Sequence, residues 1–297
     1  MASTLNLGPI ITAMVTPFDK SGNVDYAGII HLADYLLENN TSCFLLTGTT
    51  GESPTLTHKE EFKLYETFVQ RYKGKVPIMA GTGSNSTKTA IESTKKASQI
   101  GIDCSLQVVP YYNRPSQDGL LAHFSAIADQ SSIPIMLYDI PARTGCALEI
   151  NTVIELAKHP NIIGIKDATG SVENFKLYQD HISSDFLVYS GDDALIVEFM
   201  KFGAKGAVSV ASHVAGKQIL ELINALLISD KPKIKLLEER LNPLFEVLFL
   251  TSNPAPVKYA LKLLGFSMGS LRLPLVDLTP SEAAKVESVL DRYLETC

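Results

Sequence analysis

One pattern recurs through most of this sequence: a short apolar run, a turn rich in Gly, Pro or Thr, then a longer stretch with helical spacing. The runs are PIITAMV (9–15), CFLL (43–46), VPIMA (76–80), CSLQVV (104–109), PIMLY (134–138), IIGIK (162–166), FLVYS (186–190) and GAVSV (206–210). Between them, Ile29, Ile30, Ala33, Leu36 and Leu37 line one face of the first helical stretch. Phe62, Tyr65, Phe68, Val69 and Tyr72 line the second, behind a capping box of Thr57 and Glu60. Strands joined through helices pair in parallel by right-handed crossovers. Eight such strands fit a closed (β/α)8 (TIM) barrel of the α/β class, while an open doubly wound sheet satisfies the same alternation. Beyond about residue 225 the strand signal stops, and LLEERLNPLFEVLFL, PVKYALKLLG and EAAKVESVLDRYL read as helices, the last behind the start signal Thr279-Pro280-Ser281-Glu282. The expected organisation is a barrel over 1–225 and a C-terminal helical extension over 226–297, with no Gly-, Ser- or Pro-rich linker between them.

At 297 residues, with 45% hydrophobic and 20% charged residues, the composition is that of a soluble globular protein. The formal charge of −6 argues against nucleic acid or an anionic membrane as the main partner. No run approaches the ~20 apolar residues of a membrane span, and MASTLNLGPIITAMVTPF has neither the basic nor the long apolar region of a signal peptide. A cytoplasmic protein is expected. Cys43, Cys104, Cys146 and Cys297 form no CxxC or Cys/His ligand spacing, so they read as ordinary thiols and no structural zinc is expected.

In a (β/α)8 barrel the reactive groups gather at the C-terminal strand ends and the loops that follow. Those places hold GTTGES (48–53), GTGSNS (81–86), PYYNRPS (110–116), YDIPARTG (138–145), KDATG (166–170) and SGDDA (190–194). Lys166 is the most informative residue. Period-2 alternation puts Ile162, Gly164 and Lys166 on one face, which is the interior if Ile163 and Ile165 pack under the helices. An amine withdrawn from water favours its neutral form, the nucleophile toward carbonyls. The plainer alternative is a lysine that reaches out of the barrel mouth or pairs with Asp167. Tyr138 ends the preceding run, where a phenol serves as proton donor and acceptor or simply as a core tyrosine with a partnered hydroxyl.

The Gly48-Thr49-Thr50-Gly51 turn offers backbone N–H groups and two hydroxyls to a carboxylate, or is merely a strand-to-helix turn. It is not a phosphate loop, because no Gly-Lys-Ser/Thr follows. Arg143 has the fork geometry for a carboxylate, against the alternative of a solvated loop arginine. Gly81-Thr82-Gly83 lacks the third glycine and the acidic partner of a dinucleotide fingerprint. Asp192-Asp193 reads as a helix cap in preference to a magnesium site.

Taken in order, GTTGES, AGTGSN, PYYNRPSQDG, YDIPARTG, GIKDATG and SGDD resemble the pyruvate-dependent aldolases of the dihydrodipicolinate synthase/N-acetylneuraminate lyase family, over about Ile10 to Pro274. The resemblance implies a (β/α)8 barrel, a homotetramer built as a dimer of dimers, and a lyase of lysine and diaminopimelate biosynthesis. Its reaction would be the aldolase-type condensation of pyruvate with L-aspartate 4-semialdehyde to 4-hydroxy-tetrahydrodipicolinate. No metal or organic cofactor is implied, because a covalent imine through Lys166 does that work. The resemblance further implies that Tyr138, Thr50 and Tyr112 form a hydroxyl relay, Tyr112 coming from the neighbouring subunit. Thr49 and Thr50 would hold the pyruvate carboxylate and Arg143 that of the second substrate. Gly191 and Val208 would line the pocket through backbone groups. Arg143 and PYYNRP favour this synthase chemistry over the alternatives, which are an N-acetylneuraminate or keto-deoxy sugar acid lyase, or a non-catalytic ligand-sensing barrel. Asp139 and Ala142 depart from the family, whose synthases often carry Asn and Ser there.

The family's regulatory pocket for L-lysine maps onto Ser53, Pro54, His58, Glu61, Asn85, Thr89 and Tyr111. Thr89 stands where lysine-sensitive members use a glutamate, so weak or absent inhibition is expected.

Overall fold

Strands that pair in parallel need a crossover between them, and the chain supplies helices for that purpose. In order they are β1 (Ile10–Ala13), α1 (Tyr26–Glu38), β2 (Cys43–Leu46), α2 (His58–Tyr72), β3 (Ile78–Gly81), α3 (Thr87–Ile100), β4 (Cys104–Val108) and α4 (Gln117–Gln130). There follow β5 (Ile135–Asp139), the one-turn α5 (Pro141–Thr144), α6 (Ile150–Leu156), β6 (Ile162–Asp167), α7 (Val172–Gln179), β7 (Leu187–Ser190), α8 (Ile196–Lys201) and β8 (Gly206–Ser209). Helices α9 (Ser212–Leu227), α10 (Lys231–Val247), α11 (Ala255–Leu263) and α12 (Pro280–Glu295) complete the chain. The computed structural model describes residues 5–295, so Cys297 lies outside the described residues. Its strands close into a barrel in the order β1 to β8, which excludes the open sheet.

By its packing the chain divides into two compact units, Phe68–Val208 and Met1–Thr67 with Ser209–Cys297. In the first, Tyr138 of β5 stands opposite Lys166 of β6, and Asp139 opposite Asp167. Ile135, Leu137, Ile162 and Ile165 share one apolar cluster with Phe124, Val153, Phe175 and Phe199 from α4, α6, α7 and α8. Alternation therefore turns Tyr138, Gly164 and Lys166 the other way, into the barrel. Ile162 corrects the sequence reading. The pairing passes from Ile135↔Ile162 to Met136↔Gly164, so Ile163 is an extra residue in β6. A bulge of this kind reverses the face of what precedes it, and Ile162 joins Ile165 under the helices. Lys166 keeps its inward direction because it lies beyond the bulge.

In the second unit β1 pairs with β2 through Ile11↔Cys43, Thr12↔Phe44 and Ala13↔Leu45. The Thr12 hydroxyl bonds Thr41 Oγ1 at 2.7 Å and Ser212 Oγ at 3.0 Å, which ties the start of α9 to β1. Buried His213 accepts from the Val15 N–H at 3.2 Å on Nε2, so Nδ1 carries the proton toward the Val210 carbonyl at 2.8 Å. Burial holds this imidazole neutral, with its pKa pushed down to about 4. Gly216 is needed where α9 passes the end of α1, because a Cβ there would lie 2.1 Å from the Asn39 carbonyl oxygen. The capping box read at Thr57 and Glu60 forms, with Thr57 N–H to Glu60 Oε2 at 2.8 Å, and the start signal at Thr279 closes in the same way, with Thr279 N–H to Glu282 Oε2 at 2.8 Å. Among the described residues no helix is long and apolar enough to cross a membrane.

Candidate active site

Lys166 ends a strand whose apolar partners face the helices, so its side chain enters the barrel and is only 7% exposed. Its Nζ lies 4.0 Å from the centroid of the Tyr138 ring, itself 6% exposed. The alternative pairing with Asp167 is not what forms. That carboxylate points to the other side of β6, where it accepts from Thr169 N at 3.0 Å, Thr169 Oγ1 at 2.8 Å and Tyr178 Oη at 2.9 Å. Burial pushes the Asp167 carboxyl up against these bonds.

Asp139 is the strand neighbour of Asp167 and is 2% exposed. One of its oxygens accepts the Leu148 N–H at 3.0 Å, whereas Oδ1 has no partner among the described residues. Burial, with a smaller contribution from the charge of Asp167, pushes its pKa up to about 7. Where the family often carries a neutral amide, this chain carries an acid whose raised pKa leaves it about half protonated at neutral pH, so the departure is smaller in charge than in sequence.

Gly191 follows β7, and a Cβ there would lie 2.7 Å from Ala168 Cβ and 3.1 Å from Lys166 Cε. The glycine therefore leaves room for the lysine itself. Val208 is buried in β8. Arg143 is exposed on the one-turn helix α5, which ends on Gly145 at φ +78° with its N–H on the Pro141 carbonyl. Its neighbour Thr144 fixes that turn by donating to the Ile140 and Cys146 carbonyls at 3.0 and 2.7 Å.

The segment after β4 is pinned from one place. Asn85 Nδ2 donates to the Tyr111 carbonyl at 3.2 Å, and Asn113 Nδ2 donates back to the Asn85 carbonyl at 2.9 Å. Between those clamps Tyr112 has φ +74° and is 90% exposed. A bulky residue in the left-handed region costs on the order of 1–3 kcal/mol, so the turn is imposed by its clamps. Gly83, in the loop after β3, has a packing reason: a Cβ would meet Val108 N at 2.5 Å.

The Gly48–Glu52 turn after β2 closes through Gly51 N–H to the Gly48 carbonyl and Glu52 N–H to the Thr49 carbonyl, both 3.1 Å. Those internal bonds use neither the Thr49 nor the Thr50 N–H, which is the arrangement an anion nest requires. Thr16 Oγ1 holds the Gly51 carbonyl at 2.7 Å. Thr50 is buried, and its Oγ1 accepts from Asn253 Nδ2 at 2.8 Å. Sequence reading missed Asn253 because no motif contains it. Glu52, at φ +56°, is fully buried and paired with Lys258.

Of the residues mapped to regulation, Ser53 Oγ and His58 Nδ1 contact the two oxygens of Glu61 at 2.8 and 2.9 Å. Burial still pushes the Glu61 carboxyl up. Pro54 is the middle residue of the short Ser53–Thr55 turn. Thr89 Oγ1 bonds the Ser86 cap at 3.1 Å. Asp192 caps the turn before α8 through Ala194 N–H at 3.0 Å, as the cap reading expected. Cys43 and Cys104 are buried and Cys146 half-buried.

This geometry has close counterparts. The dihydrodipicolinate synthetase family model matches residues 6–293. The 4-hydroxy-tetrahydrodipicolinate synthase of Bacillus subtilis (strain 168) is 46% identical over 287 residues, covering 96% of this chain and 99% of the relative. Dihydrodipicolinate synthase from Bacillus anthracis superposes with a TM-score of 0.95 at 44% identity, covering 97% of this chain and 98% of that one. The enzyme from Cyanidioschyzon merolae, solved with lysine bound, gives 0.94 at 44% identity, with coverage of 97% and 98%. A match that runs almost end to end in sequence and in backbone leaves one assignment: the chain belongs to the dihydrodipicolinate synthetase family.

Proposed function

We infer that this chain is a lyase condensing pyruvate with L-aspartate 4-semialdehyde to 4-hydroxy-tetrahydrodipicolinate, the reaction after which its relatives are named. The observation that carries the mechanism is the buried amine of Lys166 held 4.0 Å over the Tyr138 ring. The neutral amine adds to the pyruvate ketone, and loss of water gives a protonated imine. That cation withdraws electrons, a methyl proton leaves, and an enamine forms, which replaces one difficult carbanion with two easier steps. The enamine carbon attacks the aldehyde. The amine of the second substrate then adds to the imine carbon and displaces Lys166 as the ring closes. The lysine is the electron sink throughout, so the reaction calls for no metal or organic cofactor.

Tyr138, Thr50 and Tyr112 pass the protons of these steps. Thr49 and Thr50 bind the pyruvate carboxylate through the turn after β2, and Arg143 binds that of the semialdehyde with its planar fork. Gly191 and Val208 line the pocket through their backbones. The working form is a cytoplasmic homotetramer, a dimer of dimers in which Tyr112 serves the neighbouring subunit. Its exposure in the single chain supports that reading. Arg143 favours the synthase over a sugar acid lyase.

The test is borohydride reduction with pyruvate present, followed by peptide mapping. Only an imine reduces to a stable amine, so the label is expected on Lys166 with loss of activity. A label on another lysine, or none, overturns the assignment.

A further inference from the structure

We propose that Asn253 is a positioning residue that sets the direction in which the Thr50 hydroxyl gives its proton. The inference rests on the relay role of Thr50 above and adds the group that orients it. Asn253 lies between α10 and α11, 203 residues from Thr50 in the chain, and its Nδ2 donates to Thr50 Oγ1 at 2.8 Å. A threonine hydroxyl has one O–H to donate and two lone pairs to accept with. With an amide N–H already on the oxygen, the Thr50 proton is directed away from Asn253, toward whatever acceptor the relay presents. A hydroxyl without such a neighbour rotates among several acceptors, and a relay then forms only in a fraction of molecules.

Two further observations favour this role over plain packing. Asn253 is 6% exposed, yet its Oδ1 has no hydrogen-bond partner among the described residues. An unpaired buried acceptor weakens a fold, so such a group is retained where the donor at its other end has a use. The second concerns rigidity. Five residues along, Lys258 grips Glu52 at 2.7 Å, so the stretch that carries Asn253 is anchored to the same turn that carries Thr50. The donor and its target are thus fixed relative to each other.

Asn253→Asp reverses the bond without changing the shape. A carboxylate only accepts, so it captures the Thr50 proton and removes it from the relay. Its protonated form donates again, so activity relative to the wild type should return as pH falls through the titration of the new acid. Asn253→Ala has no such recovery. The measurements are kcat, KM for pyruvate and pH–rate profiles for Asn253→Asp, Asn253→Ala, Thr50→Val and Thr50→Val/Asn253→Asp. Loss of an acid–base contact costs roughly 10²–10⁴-fold in rate, and misdirecting one is expected near the lower end. The expected result is a kcat loss of about that size in Asn253→Asp with KM for pyruvate nearly unchanged, relative recovery toward acid pH, and a double variant no slower than Thr50→Val alone.

Near wild-type kcat in both Asn253 variants, with Thr50→Val impaired, overturns the proposal and leaves the relay standing. A double variant slowed by the full product of the two single losses also overturns it, since Asn253 would then act independently of Thr50. Wild-type kcat in Thr50→Val removes the relay role itself and the proposal with it. If Asn253→Asp does not fold, Asn253→Ala and its double variant with Thr50→Val carry the same comparison.

Discussion

Glu52 and Lys258, 206 residues apart in sequence, meet at 2.7 Å with side chains 0% and 1% exposed. The ion pair has further support on both sides. The Arg272 N–H donates to the other Glu52 oxygen at 3.1 Å, and the Phe18 ring lies 4.3 Å from Lys258 Nζ and 4.5 Å from the Arg272 guanidinium. Arg272 in turn forks onto Glu60 at 2.5 and 3.1 Å, which holds that carboxyl down at about 2.

Breaking this pair on one side strands a charge in the interior. Lys258→Met is expected to lower unfolding free energy by roughly 3–5 kcal/mol. Glu52→Gln/Lys258→Met should lose distinctly less, because no bare charge remains. Urea unfolding of the two variants decides it: equal losses would mean that the methylene packing of Lys258, not its charge, is what the fold needs.

Asp139 gives a pH dependence with a definite sign. Its folded pKa of about 7 lies above the ordinary 3.8, so between those values the native chain keeps a proton that the unfolded chain releases. Stability from this group therefore falls as pH rises through that window, and its full cost is present above it. Asn has nothing to titrate and still accepts the Leu148 N–H. The advantage of Asp139→Asn over the wild type should grow from about pH 4 to pH 7 and then level off. His213, common to both proteins, cancels in the difference. A denaturation midpoint difference that stays constant across that range would falsify the raised pKa.

Arg143→Lys keeps the charge and loses the planar fork. Use of L-aspartate 4-semialdehyde should weaken far more than imine formation with pyruvate. Equal losses in borohydride trapping and in steady-state turnover would show that Arg143 is structural or serves the pyruvate carboxylate.

Inhibition by L-lysine is expected to be weak. A threonine hydroxyl at Thr89 replaces a charge-assisted partner worth ~1.5–3 kcal/mol, or roughly one to two decades in affinity. Glu61, whose oxygens each carry one bond from Ser53 or His58 and keep further lone pairs, is the group that would compensate if inhibition proves strong. Thr89→Glu should sharpen inhibition measured as initial rate at subsaturating pyruvate. Half-inhibition of the wild type well below millimolar lysine contradicts the argument.

The strands were legible because an eight-stranded barrel needs apolar residues on both faces, so each β run stands out from the amphipathic stretches around it. Lys166 and Tyr138 were legible because they break that rule at strand ends. Ile162 was misread: the glycine in IIGIK is a general bulge signal, but which residue is extra is set by the register with β5. Asn253 was invisible for a similar reason, since its bond to Thr50 spans the sequence and belongs to no local pattern. The protonation of Asp139 also escaped, because a sequence shows an acid but not the burial that keeps its proton.

The exposure of Tyr112 bears on how this catalyst should be counted. A ring that is 90% exposed in one chain has little of its own protein to hold it still, although its backbone is clamped. If its hydroxyl acts in the neighbouring subunit, an isolated chain owns two incomplete halves: a pocket short of its last relay hydroxyl, and a phenol lacking a pocket. The total rate would then follow the square of monomer concentration in the dissociated range, so turnover per chain would fall in proportion to that concentration on dilution, and the reaction would have an order in enzyme greater than one.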